Sequence, residues 1–301
     1  MIVRVKRAGL LTTVQDRGRW GYQARGVPVA GPMDLFSHRL ANAIVGNRAD
    51  AATLEVTLTG PQLEFADDRI VAVIGAEFDS IPSDTSFPVS PGRPLAFGAR
   101  RRGARAYIAI SGGLDVPVVL GSRATHLPSK MGGFEGRALK AGDELPLGSF
   151  DREHPSRGGR YEFAPTTATL RVLPGPQAEK FASDALDVLT SHAYRIHPNS
   201  NRVGYRLTGP RLHALDADII SDATPIGSVQ VPASGEPILL MADRQTTGGY
   251  AKIATVIAAD LSIAGQLAPG DEIRFVVCSH AAALEALRIQ ERAIASAAGM
   301  P

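Results

Sequence analysis

A single cysteine, Cys278, rules out any disulfide within the chain and fits a reducing compartment. It ends the apolar run "IRFVVCSH", where an inert buried thiol is expected. Excess charge of either sign is also missing: 32 Lys and Arg face 30 Asp and Glu, which disfavours nucleic acid as the main partner. No apolar run approaches the roughly 20 residues that span a bilayer. The N-terminal "MIVRVKRAGLL" alternates like a strand and lacks the apolar centre of a signal peptide. These absences lead to the expectation of a soluble cytoplasmic protein. Familiar chemical signatures are absent too: the chain holds no GxxxxGK[ST] phosphate loop, no GxGxxG after a strand, no HExxH and no GxSxG elbow. No metal site is expected.

Glycine (31) and proline (21) are plentiful, and short runs rich in Val, Ile and Leu lie between them, such as "RIVAVIGA", "AYIAISGG", "PILLMAD" and "EIRFVVC". That punctuation predicts a mainly β protein of sandwiches or barrels. Two helices stand out. "GPMDLFSHRLANAIVGN" has Pro32 at the first helical position and Gly46 as its stop, and "AAALEALRIQERAIASAA" closes the chain. Asp34 suits either the helix dipole or a ligand at the Gly-Pro entry, whereas His38 reads as a solvated surface residue. The basic run "ARRRGAR", residues 99–105, reads as a solvated hairpin tip.

Four strings return in the same order. "LTGPQL" (Leu58–Leu63) is echoed by "LTGPRL" (Leu207–Leu212), "GRPLAF" by "GEPILL", "AYIAI" by "AKIAT" and "LKAGDELPL" by "LAPGDEIRF". A shared order predicts two related β halves, residues 1–150 and 165–301, with the boundary in the polar string 150–169.

The stretch "LLMADRQTTGGYAKIATVIAAD" places Asp243, Arg244, Gln245, Thr246 and Thr247 between two apolar runs and ahead of Gly248 and Gly249. As a strand it would set Arg244 and Thr246 on one face and Asp243, Gln245 and Thr247 on the other. Such groups suit a small ligand carrying an amide and a carboxylate, with guanidinium forks for the latter. Taken alone, the same residues are compatible with a structural Asp243–Arg244 pair and threonines that merely fill β positions.

The strings "TTVQDRGRWGYQARGVPVAGPMD", "ISGGLDVPVVLGSRAT", "NRVGYRLTGP" and "MADRQTTGGYAKIATVIAADL" closely resemble one family. It is variously called biotin-dependent carboxyltransferase, allophanate hydrolase subunit 2, KipI antagonist (KipA) and the 5-oxoprolinase component PxpC. The resemblance implies two tandem cyclophilin-like β-barrel units with a few short helices. It implies a KipI/PxpB-like subunit 1 as partner, with a PxpA-like third subunit in the oxoprolinase case. The implied activity is ATP-dependent opening of 5-oxo-L-proline to L-glutamate, with ATP bound with or by the partner subunits. Alternatives within the family are carboxyl transfer to urea or another amide, with biotin carried by another chain, and a regulatory role against a KipI-like inhibitor. With the resemblance, Asp243 (general base or orienting carboxylate), Gln245, Thr247 and Arg206 become the catalytic candidates. Gly31, Met33, Asp34, Glu55, Ser122, Arg123, Gln230, Thr246, Gly248 and Lys252 become candidates for substrate binding, with Arg206, Arg123 and Lys252 offered to an anionic group. Asn201 and Val203 depart from the family's acidic residue and methionine, and Ala223 from its glycine.

Overall fold

The computed structural model describes residues 1–83, 85–150 and 167–299. The described residues of 1–19, 30–163 and 289–301 form one compact unit, and those of 20–29 and 164–288 a second. The anticipated boundary string lies mostly outside the described residues.

The first unit holds β1 (Ile2–Arg7), β2 (Leu11–Gln15), helix α1 (Leu35–Ile44), β3 (Thr53–Thr57), β4 (Gln62–Phe65) and β5 (Arg69–Phe78). Then come β6 (Ser86–Val89), β7 (Leu95–Ala96), β8 (Arg100–Ile110) and β9 (Glu144–Pro146). They make a four-stranded sheet in the order β7-β4-β1-β9 and a five-stranded sheet in the order β2-β3-β8-β5-β6. Strand alternation explains how one run serves two interiors. Ala106, Ile108 and Ile110 of β8 join Val3, Val5, Leu63 and Phe65 in a core shared by the two sheets. Tyr107 and Ala109, pointing the other way, pack under Leu40, Ala41 and Ile44 of α1. That double cover is why "AYIAI" reads as continuously apolar.

Two expectations fail here. Helix α1 starts at Leu35, with Asp34 as N-cap accepting Ser37 N–H at 2.9 Å, so Pro32 precedes the helix. An Asx cap meets the orphan amides better than a proline start can. Gly46 does take the left-handed conformation, at φ 73°. The basic run is no hairpin tip but the start of β8, since Arg102 lies opposite Glu77 and Arg100 opposite Phe78. Arg102 pairs with Glu77 and Arg101 with Asp79, so acids one strand away hold the arginines in the ladder.

The second unit holds β10 (Thr167–Pro174), α2 (Ala185–Ser191), β11 (Ala193–Ile196), β12 (Gly204–Thr208), β13 (Asp218–Ala223) and β14 (Ser228–Gln230). It continues with β15 (Ile238–Leu240), β16 (Thr247–Tyr250), β17 (Lys252–Val256), α3 (Leu261–Gly265) and β18 (Glu272–Val277). Helix α4 (His280–Ala297) begins here and ends among the residues of the first unit. Seven strands close a barrel in the order β10-β17-β14-β15-β12-β11-β18, and the closing β10–β18 pair is parallel. Tyr194, Tyr205, Leu207, Val229, Leu239 and Phe275 are buried residues of these strands, and Tyr205 O–H donates to Leu267 O at 3.2 Å. Closure removes the sheet edges that a flat array would leave open. Strands β13 and β16 form a separate two-stranded ribbon. Cys278, just past β18, is only partly buried, against the Ile257, Ala259 and Ala286 cluster.

The architecture is mainly β with few helices, as expected. The string Leu58–Leu63 runs from the turn after β3 into β4, and its echo Leu207–Leu212 begins at the end of β12. Among the described residues no helix is long and apolar enough to cross a membrane.

Candidate functional site

In the first unit the polar candidates gather beneath the start of α1. Ala30 and Gly31 both take positive φ (57° and 90°), and a β-carbon on Gly31 would stand 3.3 Å from Asp16 O. That turn aims two amides inward: Met33 N–H donates to Glu55 Oε2 and Asp34 N–H to Tyr107 Oη, each at 2.8 Å. Tyr107 O–H in turn donates to Glu55 Oε2 at 2.8 Å. Burial, followed by the charges of Glu55 and Asp34, pushes the Tyr107 phenol well above its usual range, which keeps it a donor. Ser122 and Arg123 belong to a second hub, Asp16, which sequence reasoning missed. Its carboxylate accepts Ser122 O–H at 2.6 Å, Gly18 N–H at 2.9 Å and Arg123 N–H at 2.5 Å. The Arg123 guanidinium is engaged by Val116 O and Asp115, so it is not free for a ligand. Asp-x-Gly in "QDRGR" was the available signal, since an aspartate that accepts its own second-neighbour amide marks a built turn.

His38 is fully buried, contrary to the surface reading, because α1 is covered on nearly every side. Its Nδ1 shares a hydrogen bond with Thr53 Oγ1 at 2.9 Å, and its Nε2 has no partner among the described residues. Burial above all, with Arg17 and Arg39 nearby, pulls the imidazole down to about 3. Because its folded value lies below the usual 6.5, the unfolded chain takes up the proton first. The stability is therefore whole above about pH 6.5 and falls as pH drops toward 3, by up to about 1.4 kcal/mol per unit. Between pH 7 and 5 the chain is expected to lose on the order of 2 kcal/mol more than a His38→Gln variant in urea melts. Equal losses would show that His38 is not held uncharged.

The second unit gathers its candidates on the outside of the barrel. Tyr205 and Leu207 of β12 point into the core, so Arg206 between them points out. The ladder then sets a row across four strands: Arg206 opposite Ile238, Ile238 opposite Gln230, and Gln230 opposite Lys252. Partners in an antiparallel ladder share a face, so these residues stand side by side. A cavity of about 260 Å³ lies over the row, with Ile238 and Leu240 as its apolar floor. Asn199, Asn201, Gln245 and Tyr250 complete its polar wall, and Arg206 is its one charged residue. The Arg206 side chain makes no hydrogen bond or ion pair among the described residues and is exposed. Gln230 is buried and donates to Tyr250 O at 3.3 Å. A β-carbon at Gly248 would lie 2.9 Å from Gln230 Nε2 and 3.2 Å from Gln245 Nε2, so this glycine lets the two amides converge. An adjoining groove of about 450 Å³ shares Asn199, Asn201 and Arg206.

Residues 241–246 are not strand, so the expected alternation does not apply. Ala242 and Asp243 turn the chain, Asp243 and Arg244 are buried, and Gln245 emerges exposed at the cavity. Both Asp243 oxygens are taken by Arg202, with Nε at 2.9 Å and Nη2 at 3.0 Å. The carboxylate is thus committed to a buried ion pair, and its partner is Arg202 rather than Arg244. Arg244 donates to Thr224 O at 2.6 Å, and burial lowers its guanidinium to about 10. Lys252 is likewise committed, to Asp222 at 2.8 Å and Ala223 O at 3.0 Å, so it offers no free charge to an anion. Thr246 O accepts Thr224 N–H, and Thr247 is an exposed ribbon residue opposite Ala223. Asn201 and Val203, the two departures from the resembling pattern, both line the cavity. Among the described residues no group of three or more His, Cys, Asp or Glu could hold a metal ion.

Residues 25–277 match the family described as carboxyltransferase domain, subdomain A and B. The chain belongs to the carboxyltransferase domain family. Both the Glu55–Tyr107 cluster and the Arg206 cavity of this carboxyltransferase-domain chain fall inside the matched span. The 5-oxoprolinase C subunit of Escherichia coli (strain K12) is 39% identical over 298 residues, 97% of this chain and 96% of that protein. The urea amidolyase of Lachancea kluyveri is 36% identical over 326 residues, 96% of this chain but 18% of that protein. The crystal structure of the K. lactis urea amidolyase superposes with TM-score 0.91 at 32% identity, covering 98% of this chain and 20% of that one. The carboxyltransferase-domain chain therefore spans about a fifth of the urea amidolyases it matches.

Proposed function

We propose that this chain is the PxpC component of an ATP-dependent 5-oxoprolinase, which opens the cyclic amide of 5-oxo-L-proline to L-glutamate together with a KipI/PxpB-like subunit 1 and a PxpA-like subunit. The observation that carries the reading is the end-to-end match to a 5-oxoprolinase C subunit, 97% of one chain against 96% of the other. A second reading, carboxyl transfer from biotin on another chain to urea or a related amide, draws on the 0.91 TM-score to the urea amidolyase.

Both reactions must stabilise negative charge on an amide oxygen. Amide N–H groups of Gln230 and Gln245, held at Gly248, supply donors of that kind without adding charge. Arg206 alone does not match a triphosphate, whose several negative charges call for more cations than this wall presents. We therefore assign ATP to the partner subunits.

The deciding experiment is to combine the purified chain with its two partner subunits and to follow phosphate release. Release that depends on 5-oxoproline and on this chain supports the reading. Release that instead requires a biotin carrier, bicarbonate and urea supports the second. Within an active complex, Gln245→Ala is expected to lower turnover about tenfold, the equivalent of about 1.4 kcal/mol of lost transition-state stabilisation. Its melting temperature should not move, because Gln245 is exposed. Full turnover in that variant would return the segment to scaffold.

A further inference from the structure

We propose that the cavity over the Arg206–Ile238–Gln230 row is a binding site for a small lactam bearing one carboxylate, with Arg206 reading the carboxylate and Gln230 and Gln245 reading the amide. The inference rests on the oxoprolinase reading and adds to it where the substrate lies and which part of it each residue recognises.

Charge is the first support. One guanidinium without a protein partner faces a cavity wall that is otherwise neutral, while the acid Glu236 lines the adjoining groove that Arg206 also borders. Such a wall matches one negative charge. By contrast Lys252, the next cation along the row, is neutralised by Asp222. Spacing is the second support. Arg206 and Gln230 lie on strands separated only by β15, so their backbones stand about 10 Å apart. Both residues line the cavity from the two ends of the row, with Ile238 between them. The floor is the third. Ile238 lies opposite both polar residues in the ladder, and with Leu240 it gives ring methylenes an apolar surface. Urea has neither a carboxylate for Arg206 nor methylenes for that floor, so two of the three features would be idle with it. About 260 Å³ accommodates a five-membered ring bearing a carboxylate.

The test is calorimetric titration of the full chain, and of the assembled complex, with 5-oxo-L-proline, pyrrolidin-2-one and urea. Wild type is expected to bind 5-oxo-L-proline well ahead of the other two. Arg206→Gln should weaken 5-oxo-L-proline binding, and raise its KM, by about 10- to 100-fold, the range for a lost charged hydrogen bond. The same variant should leave the weak binding of pyrrolidin-2-one unchanged, a readout that a general loss of structure would not spare. Because Arg206 is exposed and unpaired, the melting temperature should hold. An unchanged 5-oxo-L-proline affinity in Arg206→Gln would overturn the inference. So would a complex that turns over 5-oxoproline at wild-type KM with Arg206→Gln in place, and that result would leave the proposed function standing. Carboxylate-dependent binding in a complex that never hydrolyses ATP would do the reverse, sustaining the site and sinking the oxoprolinase reading.

Discussion

Asp243→Ala is expected to cost the second unit about 3–5 kcal/mol, because it removes the carboxylate ion-paired with a buried Arg202. The Arg202 and Asp243 side chains are 6% and 1% exposed, so water cannot replace the lost carboxylate. The pair also ties two cavity walls together. Asp243 N–H donates to Arg202 O at 2.8 Å and Met241 N–H to Val203 O at 3.0 Å, which fixes the 199–203 segment against the one carrying Gln245. Urea unfolding should show the full loss. Arg202→Met combined with Asp243→Leu should recover much of it, since well-packed apolar residues often replace a buried ion pair at little cost. If Asp243→Ala melts within about 1 kcal/mol of wild type, the pair is not a clamp. A base role would instead leave stability intact and remove one limb of the pH profile.

Glu55→Ala should be comparably severe in the first unit. One oxygen, Oε2, accepts both Met33 N–H and Tyr107 O–H, so its removal leaves two buried donors unsatisfied at about 1–3 kcal/mol each. The two donors together account for about 2–6 kcal/mol, and the cavity where the side chain stood adds to that loss. Glu55→Gln keeps an acceptor oxygen and should lose clearly less. Hydrogen exchange at Met33 and Asp34 offers a local check: both amides should exchange faster in Glu55→Ala, and unchanged protection would mean the turn holds without this carboxylate.

The sequence made the strands legible because glycine and proline end each apolar run, and the C-terminal helix because its period is uninterrupted. It hid what depends on register. Arg206 lies well before Gln230 and Ile238 in the chain, and the three become neighbours only through two ladders. Asp243 was read against adjacent Arg244, yet its partner lies 41 residues earlier, since the turn at 242–243 sends the two side chains to different neighbours. Similarly, "ARRRGAR" looked like a turn because the acids that balance it are on another strand. Resemblance supplied residues such as Glu55 and Gln230; nothing in their local spacing would have found them.

The chain passes between its two units more than once, since residues 20–29 group with the later half and 289–301 with the earlier one. A break in the later half would separate Glu291 from Arg39, which it holds at 2.5 and 2.8 Å, and Ala297 from the cluster over α1. Neither half can therefore be excised at a single junction with all of its own packing. Exchange of one half for a half from a relative would have to transplant the short borrowed segments as well.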